Sequence, residues 1–440
     1  MTPEAVAGAL AAFPPEWWQA RRWFAGKTRT LVGVTPFDFA ELSERPRTIL
    51  GLAQLDYWEG PPDVYAIPIT FIDGTPVDAL ESPDVQCLFL HLLADNARRG
   101  PVRFESFLPL TEARPRLLGV EQSNTSVAYG DQWILKHIRR VVFGPNRDLE
   151  VGRFLSRETD FPHTPRVAGA IIYEGRGVAT LGVLQRFVPN HGDGWSYVLR
   201  ELEPPPNAPD DLYWAQDSVP SRSEYLLSQM ELLGRITGQM HSALASRSDM
   251  PDFAPEPASE ADRDGWLGDA FGQLSAAAAA AGPAGLSEFL ERASEYRQRL
   301  EELARELPVS AVQKIQIHGD YHLGQVLKTD DGFAIIDFEG EPARPLEQRR
   351  AKQPALRDVA SMLRSLDYAA ATAQQPEWAR LAGDRFVAGW RASSGLEPMP
   401  RLLEFLQLAK ALYELNYELN NRPDWAWVPL RGIQSLMSGA

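Results

Sequence analysis

Cysteine is nearly absent from these 440 residues: Cys87 stands alone, so no internal disulfide can form and no thiolate cluster can hold zinc. No apolar run reaches about 18 residues, so no membrane span is expected. The opening MTPEAVAGALAAFPPEWW lacks a basic region followed by an apolar signal core, and a cytoplasmic protein is expected. Positive charge is also scarce: 44 basic side chains face 59 acidic ones, a formal net charge of -15. That balance excludes the basic surface that nucleic-acid binding needs. It leaves room for a nucleotide, whose local field is set by a single lysine and a metal ion. A glycine-rich GxGxxG loop and internal repeats are missing too.

Hydrophobic residues at 44% and charged residues at 23% describe a folded globular chain. Its length calls for two or three packed units. Residues 1–100 read as an N-terminal cap: a short helix near 3–13, strands near 29–39, 48–57 and 64–71, and a closing helix near 82–96. Within this segment the aromatic and basic WWQARRWFAGK reads as a packing face with cation–π contacts. Residues 101–188 are strand-rich (126–129, 133–138, 166–172, 179–187) around one helix at 147–156. Residues 189–440 are mainly helical, with helices expected at 224–245, 286–307, 356–373, 377–391 and 401–421. The alanine-rich stretch 275–285 reads as a helix end or a connection, and 204–209 as a loop. Strands first and helices after give an α+β class.

One island interrupts the helical part, at 315–341. Its core is His318-Gly319-Asp320-Tyr321-His322-Leu323-Gly324-Gln325, with Asp337 following a second apolar strand. Phosphoryl transfer to a hydroxyl needs a carboxylate to orient the acceptor and take its proton, and ligands that hold a metal on the nucleotide phosphates. Asp320 suits the first role. Asp337 with the side-chain oxygen of Gln325 suits the second, since magnesium takes few protein ligands and completes its shell with phosphate and water. Glu339 is a further metal candidate. A lone aspartate at a strand end commonly does no more than open a turn; the spacing and both apolar lead-ins together argue for a site. His318 and His322 read as braces.

These residues resemble the signature of the aminoglycoside-phosphotransferase and choline-kinase superfamily, HGDxHxxN followed by IDxE. Gln325 stands where asparagine is usual, and in this the chain resembles the maltokinase family and the kinase domain fused to some trehalose synthases. Arg21–Lys27, Glu121–Ser126, Ile134-Leu135-Lys136, Leu346–Arg350, Leu356–Ala360 and Asn421–Trp425 carry the same likeness. The resemblance implies a bilobal protein-kinase-like fold with an extra N-terminal cap and a mainly helical C-terminal lobe. It implies ATP and Mg2+ as cofactors, maltose converted to maltose 1-phosphate, and association with a trehalose synthase.

By the same likeness Lys136, on an apolar strand, would pair with nucleotide phosphates and with a helix carboxylate, Glu150, with Asp148 in reserve. The run Gln122, Ser123, Asn124, Thr125 and Ser126 would line the phosphate turn. Gln185, Phe187 and Val188 would form the adenine hinge. On the helix at 401–421, Tyr413 and Tyr417 lie four apart on one row and Glu414 and Glu418 on the next. With Trp425 they make a candidate saccharide pocket. Arg357-Asp358 reads as a structural pair bracing the catalytic loop. Two alternatives stay open: a glucosamine or other aminosugar kinase, and a pseudokinase that binds nucleotide and regulates a partner enzyme.

Overall fold

The computed structural model describes residues 2–119, 124–203, 222–341 and 344–438. It divides into two compact units, Met1–Ser156 with Pro165–Pro189, and Arg157–Thr164 with Asn190–Ala440.

The first unit opens with α1 (Pro3–Ala11) and α2 (Pro15–Ala20), each begun by a proline whose missing N–H costs nothing at that position. An antiparallel sheet follows: β1 (Leu31–Glu44), β2 (Arg47–Tyr57), β3 (Asp63–Ile72) and β4 (Thr75–Asp78). After α3 (Pro83–Ala94) comes a second antiparallel sheet. It is built from β5 (Arg98–Arg99), β6 (Val102–Ser106), β7 (Pro115–Leu118), β8 (Asn124–Tyr129), β9 (Trp133–Ile138), β11 (Val167–Glu174) and β12 (Val178–Arg186). Their order is β5-β6-β11-β12-β9-β8-β7, while the short β10 (Arg140–Val141) joins the first sheet beside β3. Helix α4 (Arg147–Arg157) connects β10 to β11.

Side chains alternate across a strand, so β2 serves two cores. Ile49, Ala53 and Leu55 face a cluster with Trp18, Trp23, Phe24 and Tyr65. Leu50 and Leu52 face the other way, into a cluster that includes Phe89, Phe104, Val127, Tyr129, Leu135 and Ile171. Residues 1–100 and most of 101–188, read from the sequence as two subdomains, lie in the first unit and share a core, while 157–164 belong to the second unit. Each large apolar side chain buried there contributes about 1.5–3 kcal/mol. The tryptophan-rich segment packs as expected, with Trp18 fully buried and the Arg21 guanidinium 4.3 Å from the Trp17 ring centre.

The second unit is mainly helical: α5 (Gly194–Leu202), α6 (Arg222–Leu244), α7 (Glu260–Ala281), α8 (Ser287–Glu291), α9 (Ala293–Arg305), α10 (Leu346–Arg350), α11 (Leu356–Thr372), α12 (Pro376–Ser394), α13 (Pro400–Asn421) and α14 (Trp427–Met437). Most of the alanine stretch belongs to α7, whose N-terminus carries a capping box between Ser259 and Asp262. Strands β13 (Glu256–Pro257), β14 (Gln313–Ile315) and β17 (Gln353–Pro354) form a small sheet, and β15 (Val326–Thr329) pairs with β16 (Gly332–Ile335) as a hairpin. The α+β architecture expected from the sequence is present. Among the described residues no helix is long and apolar enough to cross a membrane.

Candidate active site

Between β14 and β15 the chain makes a tight turn, and what shapes it is Asp358 in the first turn of α11. The Asp358 carboxylate is buried and accepts three hydrogen bonds: His318 N–H at 2.7 Å, Gly319 N–H at 2.9 Å and His241 Nε2–H at 2.9 Å. Trp390 donates to His241 Nδ1 at 2.9 Å, which fixes the imidazole tautomer that donates to Asp358. Burial alone would raise the Asp358 pKa; the hydrogen bond and charge of His241, with the turn's N–H groups, outweigh it and hold the carboxyl below its ordinary range. Gly319 takes φ +88°, a conformation open to glycine without strain.

The rest of the turn is pinned as firmly. His318 Nε2–H donates to the Ile336 carbonyl at 2.9 Å while its Nδ1 accepts from Asp320 N–H at 3.3 Å, so this histidine bridges the two catalytic segments. The Tyr321 hydroxyl is 2.7 Å from Thr237 Oγ1 on α6, and Leu323 N–H donates to Ser365 Oγ on α11 at 3.1 Å. His322 caps the following turn, with its Nδ1 accepting from Gly324 N–H at 3.0 Å. Nothing among the described residues hydrogen-bonds the half-buried Asp320 carboxylate, which leaves it open to accept a proton.

Asp337 stands two residues past β16 with φ +67°, an uncommon conformation for a non-glycine residue. Gln325 Nε2 donates to Asp337 Oδ2 at 3.2 Å, and the Gln325 carbonyl accepts from Ile336 N–H at 3.0 Å. The amide donor is thus spent on Asp337, and the Gln325 amide oxygen remains with the aspartate oxygens as hard donors for a divalent cation. Glu339 follows two residues on, half-buried. Among the described residues no group of three His, Cys, Asp or Glu side chains could hold a metal, so a cation here would need nucleotide phosphates to complete its shell. Asp320 and Asp337 stand at the two ends of the His318 bridge, which bonds Asp320 N–H and the carbonyl of Ile336, the residue before Asp337. Burial pushes the His322 pKa down.

On the acceptor side, Tyr413 of α13 is the expected residue that reaches this locality. Burial, then Glu341, then the charge of Asp320 push its hydroxyl pKa up. Two neighbours were not anticipated. Lys410, one helical turn before Tyr413, lies 3.4 Å from Glu341 and 4.4 Å from the Tyr413 ring centre. Burial would raise Glu341, but Lys410, Arg344 and Tyr413 outweigh it and hold the carboxyl at about 2. Lys410 sits on the same helix row as Tyr413, the one sequence signal that could have found it. The other expected residues are already engaged. Glu414 accepts from Arg364 Nε at 2.8 Å. Glu418 pairs with Arg422 at 2.7 Å and accepts from the Tyr368 hydroxyl at 3.0 Å. Trp425 stacks on Tyr368 with ring centres 6.4 Å apart, and Tyr417 is largely exposed. The two glutamates thus carry structure rather than free charge.

In the first unit Lys136 lies on β9, directly across the ladder from Ser126 of β8. An ion pair joins it to Asp148, the reserve carboxylate, at 3.5 Å. Asp148 and Glu150 both belong to the first turn of α4, the former buried and the latter half-buried. Ser126 Oγ is buried without a hydrogen-bond partner. Thr125 Oγ1 accepts from Arg139 Nε at 2.8 Å, and Arg139 is held in turn by Asp78 at 2.8 Å. Asn124 begins β8; Gln122 and Ser123 lie outside the described residues. Gln185 is buried within β12, whereas Phe187 and Val188 follow its end half-buried, with Phe187 N–H donating to the Gln132 carbonyl at 2.8 Å.

Residues 214–396 match the profile of the phosphotransferase enzyme family. A solved glucosamine kinase in complex with glucosamine, ADP and inorganic phosphate superposes over 99% of both chains with a TM-score of 0.75, at 23% identity. This is a protein-kinase-like phosphotransferase fold. Two curated relatives extend the likeness in sequence. Glucosamine kinase from Streptacidiphilus jiangxiensis is 29% identical over 379 residues, 79% of this chain and 80% of the relative. Glucosamine kinase from Mycolicibacterium smegmatis is 26% identical over 359 residues, 77% of this chain and 84% of the relative. The family expected from the catalytic turn is supported; these relatives carry the aminosugar name rather than that of maltokinases.

Proposed function

We propose that the chain is an ATP- and magnesium-dependent sugar kinase whose first acceptor to test is glucosamine. The observation that carries the reading is the turn itself: an Asp320 carboxylate with no hydrogen bond among the described residues, tied through His318 to the segment that carries Asp337 and its partner Gln325. Asp320 would take the acceptor hydroxyl proton as the new oxygen–phosphorus bond forms and the bond to the leaving ADP breaks. Asp337 and Gln325 would hold magnesium, which neutralises phosphate charge when bound. Lys136, with Ser126 and Thr125, would bind the nucleotide phosphates.

Glucosamine is put first because both curated relatives bear that name. A neutral acceptor such as maltose is the second reading, and a specific observation favours it. An ammonium group seeks an unpaired carboxylate, yet Glu414, Glu418 and Glu341 each already face a cation. Incubating purified protein with MgATP and a sugar panel, with products read by phosphorus–proton correlation NMR, tests both. Phosphate on glucosamine supports the first reading and phosphate on maltose the second. A protein that binds ATP and phosphorylates no sugar sinks both and leaves the nucleotide-binding regulator.

A further inference from the structure

A cavity of ≈ 630 Å³ opens among α11, α12, α13 and α14 of the second unit, within the size range of small-molecule sites. None of the catalytic or acceptor-facing residues above lines it except Arg364, whose side chain is 2% exposed. Arg364 gives Nε to Glu414 at 2.8 Å and Nη1 to Asp367 at 2.6 Å, and its buried Nη2 has no hydrogen-bond partner among the described residues. An unmet donor on a buried guanidinium is unfavourable, and a ligand oxygen would relieve it.

Two further features fit the same reading. On α14, Gly432 packs directly against this guanidinium: an added Cβ would fall 2.2 Å from Arg364 Nη1. Glycine inside a helix is ordinarily unfavourable against alanine, and here its missing side chain leaves room for the guanidinium. One residue earlier Arg431, half-buried, adds a second guanidinium to the wall. Asp367 supplies an acceptor for hydroxyl groups, and Val387 and Leu403 give the cavity apolar sides. Glu377 and the Arg380–Asp384 ion pair also line it, so three arginines and three carboxylates with apolar walls suit a molecule with an anionic head and a hydroxylated body.

We propose that this cavity is a second ligand site, distinct from the catalytic turn, that takes a small sugar phosphate with its phosphate on Arg364 and Arg431. Through the Arg364–Glu414 contact, occupancy would also bear on α13, the helix that carries Lys410 and Tyr413. The site does not depend on the sugar-kinase reading, because its test is binding rather than turnover.

The test is calorimetric titration of the full chain with glucose 6-phosphate, inorganic phosphate and glucose, each with ADP, glucosamine and maltose present in excess to fill the catalytic locality. One equivalent of glucose 6-phosphate should bind, more tightly than phosphate or glucose. Arg431→Glu should weaken it at least tenfold, and Val387→Trp, which fills the cavity from α12, should do the same; both should keep the parent protein's melting temperature and ADP affinity. In the wild type, bound glucose 6-phosphate should change the KM of whichever sugar is phosphorylated at least twofold, and Arg431→Glu should lose that change. No binding at about 10 mM, near the weak end of specific affinities, overturns the site. So does equal binding by Arg431→Glu, displacement of the probe by the added sugars or ADP, or inorganic phosphate binding as tightly as the ester. An unchanged KM with the probe bound overturns the coupling to α13.

Discussion

Asp358→Asn probes the device that shapes the catalytic turn. The native carboxylate has two oxygens serving three donors: Oδ1 for Gly319 N–H, and Oδ2 for His318 N–H and His241 Nε2–H. Asparagine keeps one oxygen and substitutes an NH2 group for the other. His241 cannot offer its other nitrogen, because Trp390 already donates there. The better orientation keeps the amide oxygen toward His318 and His241, so the NH2 group confronts Gly319 N–H, donor against donor. One buried N–H is orphaned and the two remaining bonds lose their charge assistance. With hydrogen bonds to a charged group contributing about 1.5–3 kcal/mol each, and an orphaned buried donor costing about 1–3 kcal/mol, destabilisation of about 3–5 kcal/mol is expected. Gly319 immediately precedes Asp320, and a displacement near 1 Å at a reacting group can lower turnover on the order of 10²-fold.

The assay is a urea titration followed by circular dichroism, together with kcat and the KM for ATP on the accepted sugar. Loss of stability and of kcat, with the ATP KM held, is the expected pattern. The pH dependence adds a signed check. Because the folded Asp358 pKa lies below the ordinary 3.8, its contribution is complete above that value and fades as pH falls through the folded pKa. The gap between wild type and variant should therefore narrow in acid. A loss under about 1 kcal/mol, with kcat within threefold of wild type, would refute the account of Asp358.

Three other outcomes follow from the same geometry. Asp320→Asn should lower kcat on the order of 10²–10⁴-fold with ADP affinity unchanged by calorimetry; a loss below tenfold removes Asp320 from the proton transfer. Arg139→Met leaves Asp78 buried without its cation, so the variant should unfold about 3–5 kcal/mol more easily, and Asp78→Asn in the same chain should recover part of that loss. Glu341→Gln removes a carboxyl held at about 2 against an ordinary 4.5. Its stabilisation, about 3 kcal/mol at most, is present above pH 4.5 and disappears toward pH 2, so urea midpoints of wild type and variant should converge over that window.

The catalytic turn was legible because its chemistry is local: Asp320, Gln325 and Asp337 fall within 18 residues, between apolar lead-ins that fix where the turns lie. The bracing role of Asp358 could be read because an aspartate opening a helix has few other uses. The shared core of the first unit was harder. The buried run from Ile49 to Leu55 in β2 announces a strand covered on both faces, but periodicity says nothing of which segment covers each face. The alanine stretch, read as a helix end or a connection, is the end of α7, which stops at Ala281. The engagement of Glu414 and Glu418 was only partly legible, for a different reason. Their partners Arg364 and Tyr368 lie 50 residues away on another helix, out of reach of spacing along α13, whereas Arg422, four residues after Glu418, was a readable i,i+4 partner.

That pairing bears on how the acceptor is chosen. Three carboxylates on or beside α13 are each matched by a cation: Glu341 by Lys410 and Arg344, Glu414 by Arg364, and Glu418 by Arg422. A neutral sugar could take hydrogen bonds from this set without disturbing it. An aminosugar would have to compete with one resident cation, and the three are not equally hard to displace. Arg364 is enclosed, and breaking its pair would strand a buried charge. Arg422 is 52% exposed and can return to water when it leaves Glu418, while the ammonium group must take its place at once on a carboxylate that is itself 2% exposed. If glucosamine is the acceptor, Glu418 is therefore the carboxylate that its ammonium group should reach, and Arg422→Ala should lower the glucosamine KM while leaving a neutral sugar's KM nearly unchanged.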